Sequence, residues 1–187
     1  MNDSQRQILL KVARDAVLGA ITGHGKGRVE CDDPELQAHC GCFVTLKSDD
    51  QLRGCIGRFT SDKPLLELVA EMAIASATED PRFSANRISA DEFDSLDIEI
   101  SVLSPLRRTE DPLSLRLGID GIYIKRGYNS GCFLPQVATE TGWSRQEFLS
   151  YCCLHKANME PNAWKDPLTE VYFFTAEVFG AAFKDID

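Results

Sequence analysis

Residues 42–57 read CFVTLKSDDQLRGCIG, and the interpretation of the whole chain depends on this stretch. Residues 42–47 are apolar and β-branched, and residues 48–51 have the side chains of a turn. A second strand should therefore begin at Leu52 and pair with the first as a hairpin. Gly54 and Gly57 lie inside this second strand, where glycine usually marks a bulge or a close approach by a ligand or by other backbone.

Arg53 and Cys55 are the candidates for chemistry in this stretch. A guanidinium presents a fixed fork of donors to a carboxylate or phosphate, and its charge favours a nearby thiolate. Because side chains alternate along a strand, Arg53 and Cys55 should share one face. Cys55 would then be a catalytic nucleophile, a redox centre or a ligand. The alternative is that Cys55 is a small buried residue and Arg53 a structural ion-pair partner.

The rest of the chain mixes helical and strand patterns. Helical spacing covers residues 5–20, a segment capped by Asp62 that runs to about Thr78, and a segment capped by Ser144 that runs to about Ala157. Strand patterns cover residues 97–103, a hairpin of 119–125 with 131–134, and 170–178. Without a regular βαβ rhythm, this order predicts an α+β fold with a mostly antiparallel or mixed sheet and packed helices.

Composition narrows the class of protein. The 187 residues suit a single domain, 1–187, built as a larger and a smaller lobe. No apolar run approaches the ~20 residues that cross a bilayer, so we expect no membrane span. The N-terminus lacks a secretory pattern and the seven cysteines are odd in number, which indicates free thiols in the cytoplasm.

The formal net charge of −9 makes nucleic-acid binding an unfavoured function. A local pair such as Arg107 with Arg108 could still bind a small anion, although two solvated surface arginines are the simpler interpretation. The glycines of residues 23–27 lack the preceding strand and following helix of a phosphate loop and indicate a flexible connection.

Two further segments hold candidate site residues. Asp80-Pro81-Arg82-Phe83 ends a predicted helix and should hold the aspartate and the arginine close together in a rigid turn. Gln136 follows Pro135 at a strand-to-helix junction, where it could recognise an anion or an amide. Both segments also have a purely structural interpretation, as an ion-paired turn and an ordinary helix start.

Metal binding is the remaining possibility for the thiols. The segments 39–42 (HCGC) and 152–155 (CCLH) could in principle converge on zinc, but no CxxC pair occurs and packing explains Cys42 and Cys152. We expect no metal and no cofactor.

Taken together, these segments resemble the AMMECR family, whose hallmark is the hexapeptide Leu-Arg-Gly-Cys-Ile-Gly, complete here at residues 52–57. The similarity extends to residues 43–46, 80–83, 98–105, 134–138 and 156–157. Where the family usually has proline and glycine, this chain has Ser84-Ala85 and, after Ala157, Asn158. Asparagine can still adopt the left-handed conformation of a helix cap.

The resemblance implies a two-lobed fold in which the hexapeptide and the Pro-Arg-Phe turn border a shared cleft. It also implies partnership with a Memo-type protein and a radical S-adenosylmethionine (SAM) enzyme. The candidate ligand-binding residues are Arg53, Gly54, Gly57, Asp80, Arg82, Phe83, Glu99 and Gln136, with Cys55 as the hypothetical catalytic residue.

Three functions fit this sequence. The first is an enzyme or enzyme subunit in which Arg53 orients an anionic group and Cys55 or Glu99 acts on the substrate. The second is a noncatalytic adaptor that binds its partners through the cleft or the loop at 105–118. The third, RNA binding or RNA modification, has been suggested for the family and is disfavoured here by the net charge.

Overall fold

The computed structural model of this protein describes residues 1–23 and 31–186. Within these residues the chain divides into two compact units, Met1–Val102 with Glu177–Asp187, and Leu103–Ala176. Each unit has its own four-stranded sheet and helices, so the predicted α+β class is confirmed. Residues 24–27 of the glycine-rich connection lie outside the described residues.

The helices and strands lie in chain order as follows. The helices are α1 (Asp3–Thr22), α2 (Leu65–Thr78), α3 (Pro135–Thr141) and α4 (Arg145–His155). The strands are β1 (Cys42–Ser48), β2 (Gln51–Arg58), β3 (Leu96–Leu103), β4 (Arg107–Thr109), β5 (Gly121–Arg126), β6 (Asn129–Phe133), β7 (Glu170–Phe174) and β8 (Ala176–Ala182). Short 3₁₀ turns include Pro81–Phe83 and Ala90–Ser95.

Two amphipathic helices build the core of the first unit. Helix α1 begins with a capping box between Asn2 and Gln5 and ends at Gly23, whose φ of 73° is left-handed. It packs against α2. The apolar faces of both helices and one face of the sheet together form a single hydrophobic core. The buried members of that core include Leu9, Ala13, Val17, Val44, Leu46, Leu68, Val69, Ile98 and Ile100.

The sheet of the first unit has the order β2-β1-β3-β8, and β1 pairs antiparallel with both β2 and β3. The predicted hairpin of β1 and β2 is therefore confirmed. Its register shifts between Leu46 and Lys47, since Leu46 lies opposite Gly54 while Lys47 lies opposite Leu52. Arg53 is thus the extra residue of a bulge, and the bulge interrupts the alternation from which a shared face with Cys55 was predicted.

Strand β2 lies unusually close to helix α2. A Cβ atom on Gly54 would be 1.9 Å from the carbonyl oxygen of Ser76, so only glycine fits there. The buried Ser76 hydroxyl joins both strands of the hairpin to the helix, because it accepts from the Ile56 amide at 3.0 Å and donates to the Val44 carbonyl at 2.7 Å. The first glycine of the hexapeptide therefore serves strand-to-helix packing.

The second unit has the sheet order β4-β7-β5-β6, and its strand pairs are all antiparallel. Helix α4 is capped by Ser144, as predicted, and buries Phe148, Leu149 and Cys152 against the sheet. After this helix Asn158 has a φ of 51°, which confirms that it takes the left-handed conformation. Trp164 completes the same core.

Four details of the predicted elements are wrong. Pro64, not Asp62, is the N-cap of α2, and no side chain caps this end. The single strand expected over 170–178 is two strands. The strand conformation is interrupted at Thr175, and β7 and β8 belong to different sheets. The turn between β5 and β6 is shorter than expected, because the strands already pair at Arg126 and Asn129. Strand β4 lies in a segment expected to be a loop.

We predict that Gly54→Ala destabilises the first unit by about 3 kcal/mol, because the new methyl group would meet fixed backbone on α2. Gly142→Ala is the matched control: its Cβ would meet open space, and its φ of 67° makes the cost about 1 kcal/mol. Urea unfolding measures both changes, with soluble yield as the readout if the first variant does not fold. A Gly54→Ala protein no less stable than Gly142→Ala would contradict this packing role.

Candidate functional site

The Asp80 carboxylate lies at the centre of the candidate site. Its oxygens accept from the Cys55 amide at 2.9 Å and from the Arg82 side chain at 3.0 Å (Nε) and 2.6 Å (Nη2). Asp80 also caps the Pro81–Phe83 turn by accepting from the Arg82 amide. Hydrogen bonds from Arg82 lower the pKa of this carboxyl group to about 2, although burial opposes the shift.

The Arg82 guanidinium is held by hydrogen bonds, although much of the side chain is exposed to solvent. Its Nη2 atom also donates to the Cys55 carbonyl at 3.2 Å, and its guanidinium carbon lies 5.6 Å from the centre of the Phe83 ring. The Arg82 side chain nevertheless remains 54% exposed, whereas that of Asp80 is 2% exposed. The bonds to Asp80, with smaller contributions from Cys55, raise the pKa of Arg82. This is a fixed cation with donors open to solvent.

Cys55 lies beside Arg82, in a row of polar side chains across the sheet. The Thr45 hydroxyl donates to the half-buried Cys55 sulfur at 3.2 Å, and Thr45 lies opposite Cys55 on one side and opposite Glu99 on the other. Facing positions of neighbouring antiparallel strands put their side chains on the same face. The structure therefore brings Cys55 and Glu99 to the two sides of Thr45, a residue that the sequence analysis did not single out.

Arg53 has a different environment. Its guanidinium pairs with Glu92 at 2.8 Å and donates to the main-chain carbonyls of Asn86 and Arg87. Burial opposes ionisation of Glu92, but hydrogen bonds from Ser89 and the charge of Arg53 outweigh it and lower the Glu92 pKa. Only 10% of the Arg53 side chain is exposed. The Arg53 donors thus bond within the first unit, as expected if Arg53 is a structural ion-pair partner.

The remaining candidates lie in three places. Gly57 is packed against Phe43, whose ring a Cβ atom would meet at 2.2 Å. Phe83 is the last residue of the Pro81–Phe83 turn, and its ring lies beside the Arg82 guanidinium. Gln136 lies in the first turn of α3 in the second unit, whereas the other candidates lie in the first unit.

Neither metal clusters nor membrane spans are found in the described part of the chain. Among residues 1–23 and 31–186, no group of three or more His, Cys, Asp or Glu side chains could hold a metal ion. Burial raises the pKa of the Cys42 and Cys152 thiols, which disfavours the thiolate that a metal requires. In the same residues no helix has the length and apolar character to cross a membrane.

The Asp80 environment predicts a specific pH dependence. Folding lowers the Asp80 pKa from 3.8 to about 2, so its stabilising contribution is present above about pH 4 and is lost as the pH falls towards 2. Asp80→Asn should therefore destabilise the protein near neutral pH, and the difference from the wild type in unfolding free energy should shrink between pH 4 and pH 2. Asp94→Asn, at an exposed position, is the control for the loss of one carboxylate charge. A difference for Asp80→Asn that stays constant over this range would contradict the assignment.

Comparisons with known proteins extend over almost the whole chain. A protein of Methanothermobacter thermautotrophicus is 39% identical over 186 residues, covering 96% of this chain and 95% of that protein. A protein of Methanopyrus kandleri is 41% identical over 181 residues, covering 92% and 86%. The crystal structure of an uncharacterized protein from Pyrococcus horikoshii matches with a TM-score of 0.85 and 38% identity, covering 96% of this chain and 93% of that one. A family model described as AMMECR1 matches residues 10–179, and the chain therefore belongs to the AMMECR1 family.

Proposed function

We propose that this protein is an enzyme, or the substrate-binding subunit of one, that holds an anionic group of its substrate at Arg82 and acts on it through Cys55. The observation that carries this proposal is the cluster of Asp80, Arg82, Cys55 and Thr45, in which an arginine fixed by Asp80 donates to the main chain of the cysteine whose thiol accepts from Thr45. An arginine side chain that is half exposed and already oriented by a buried carboxylate loses little conformational entropy when it binds an anion.

The neighbouring residues supply the other parts of such a site. Thr45 fixes the position of the Cys55 sulfur, and half-buried Glu99 on the far side of Thr45 is a candidate acid or base. The Phe83 ring beside the guanidinium offers a flat apolar surface to the rest of the ligand. Arg82 thus takes the anion-orienting role that the sequence analysis assigned to Arg53.

We further propose that the protein works in the cytoplasm with a Memo-type protein and a radical SAM enzyme, as its family resemblance implies. The seven cysteines are all free thiols, which suits a reducing compartment. In this proposal the radical chemistry belongs to the partner enzyme.

A noncatalytic adaptor is the alternative, and one observation favours it. Arg53 and the amides of Cys55 and Ile56 are bonded within the first unit, so most of the hexapeptide serves the fold. In an adaptor, Arg82 would bind an acidic group of a partner protein and Cys55 would have no chemical role. RNA binding is a third possibility that the net charge of −9 opposes.

Thiol labelling of the folded protein separates the first two functions. We expect Cys55 to react with a small alkylating reagent before unfolding, because it is half-buried beside solvent-exposed Arg82, whereas fully buried Cys42, Cys152 and Cys153 should react only after unfolding. Peptide mapping by mass spectrometry assigns each site, and Cys55→Ser confirms the Cys55 signal. If Cys55 reacts only after unfolding, the nucleophile role is wrong and the adaptor function is favoured.

Copurification tests the partnership. We expect the wild-type protein to bind the Memo-type protein or the radical SAM enzyme when the three are coexpressed. For an enzyme subunit, Cys55→Ser should keep the complex and abolish turnover by the assembled system. For an adaptor, Arg82→Met should weaken the complex at least about tenfold and Arg82→Lys, which keeps the charge, should restore part of it. Absence of any complex with the wild-type chain would contradict the proposed partnership.

A further inference from the structure

The adjacent arginines of β4 lie at two different cavities of the second unit. Arg107 packs on Phe173, with its guanidinium carbon 5.8 Å from the ring centre, and lines one cavity. Arg108 lines another, beside Trp164 and Asp166. Alternation along the strand explains the separation, so the pair cannot act as a single basic patch. Each arginine has to be considered with its own neighbours.

Arg107 shares its cavity with a second arginine that is rigidly held. The Asp120 carboxylate accepts from the amide of Arg116 at 2.8 Å and from its side chain at 3.0 Å (Nε) and 2.7 Å (Nη2). The Asp120 side chain is 3% exposed, while that of Arg116 is 58% exposed. The buried carboxylate therefore fixes the Arg116 guanidinium and leaves its other donors open to the cavity.

The charges at this cavity do not balance. Arg116 is paired with Asp120, whereas Arg107 forms no ion pair with any of the described residues within 4.0 Å. Two guanidinium groups and one carboxylate leave one net positive charge. Arg116 has the larger effect in lowering the Asp120 pKa, and the charge of Arg107 lowers it further. Both arginines therefore lie close enough to Asp120 to influence its carboxylate. A single additional anion would complete the arrangement.

The size and lining of the cavity limit what that anion can be. Its volume is about 240 Å³, below the roughly 300–1,000 Å³ of pockets for drug-sized ligands. Ser104 and Thr175 also line the cavity. Ser104 and Thr175 are themselves fixed, since the Ser104 amide donates to the Thr175 carbonyl and the Thr175 amide to the Ser104 hydroxyl, both at 2.9 Å. The cavity therefore has the size for a small oxyanion.

We propose that this cavity binds a phosphate or carboxylate group of a small ligand between Arg107 and Arg116. The fork of donors on a guanidinium matches the oxygen spacing of both groups, and a charge-assisted hydrogen bond is about twice as strong as a neutral one. Each arginine is preorganised, Arg116 by Asp120 and Arg107 by the Phe173 ring. The site is separate in sequence and in its residues from the Cys55 site and does not depend on its function.

A nuclear magnetic resonance titration of the full-length protein tests this proposal. Inorganic phosphate, sulfate and succinate are added separately at constant ionic strength, with chloride as the reference anion. We expect phosphate or succinate to shift the backbone amide signals of Ser104, Arg107 and Arg116 in a saturable manner. A response to phosphate and sulfate alone identifies a tetrahedral oxyanion site, and a response to succinate alone identifies a carboxylate site.

Arg107→Met is the decisive variant, because it keeps an apolar side chain over Phe173 and removes the charge. We expect it to weaken binding at least about tenfold, which corresponds to the loss of one charge-assisted contact. Arg108→Met is the matched control, since it removes the same charge from the next residue, and it should change the affinity less than twofold. Arg116→Lys, which keeps a partner for Asp120, should weaken binding without unfolding the protein.

Three results would overturn the proposal. The first is the absence of a saturable shift with any of the three anions. The second is equal binding by Arg107→Met and the wild type. The third is a larger loss in Arg108→Met than in Arg107→Met, which would move the site to the neighbouring cavity.

Discussion

The buried carboxylate of Asp80 is the interaction on which the candidate site depends. Four donors converge on it: the amides of Cys55 and Arg82 and the Nε and Nη2 atoms of Arg82. An ionised carboxylate can be buried only when such donors replace its water and a cation offsets its charge. The strand that holds Cys55, the turn after α2 and the Arg82 guanidinium are therefore fixed together by one group.

This dependence changes the interpretation of the hexapeptide. Gly54 allows the strand to approach Ser76, and the amides of Cys55 and Ile56 bind side chains at the end of α2 and in the following turn. The motif thus docks an irregular strand onto a helix and leaves the Cys55 thiol beside an exposed arginine. Gly54, Arg53 and the amides of Cys55 and Ile56 all serve packing or hydrogen bonds within the first unit, and the Cys55 thiol is the group for which we propose a chemical role.

Much of the fold could be predicted from the sequence, because α1, α2, α4 and the β1–β2 hairpin have strong periodic patterns. Strand β4 could not, since three residues, Arg107–Thr109, are too few to show a period. At the site, the closeness of Asp80 and Arg82 could be predicted from the turn sequence. The environment of Arg53 could not, because it depends on a bulge that is visible only in the pairing of β1 with β2. Thr45 required the register of β1 with β2 and β3, although its alternation with Val44 and Leu46 was a usable signal.

The two units contain the same arrangement of a buried aspartate and an arginine. In each, a buried aspartate accepts from the backbone amide of its arginine and from the Nε and Nη2 atoms, and the arginine side chain stays more than half exposed. The group beside that arginine differs. In our proposals the thiol of Cys55 acts on a ligand bound at Arg82, whereas the second arginine beside Arg116 contributes to binding alone. Because local potential does not follow net charge, a chain of charge −9 can carry both sites.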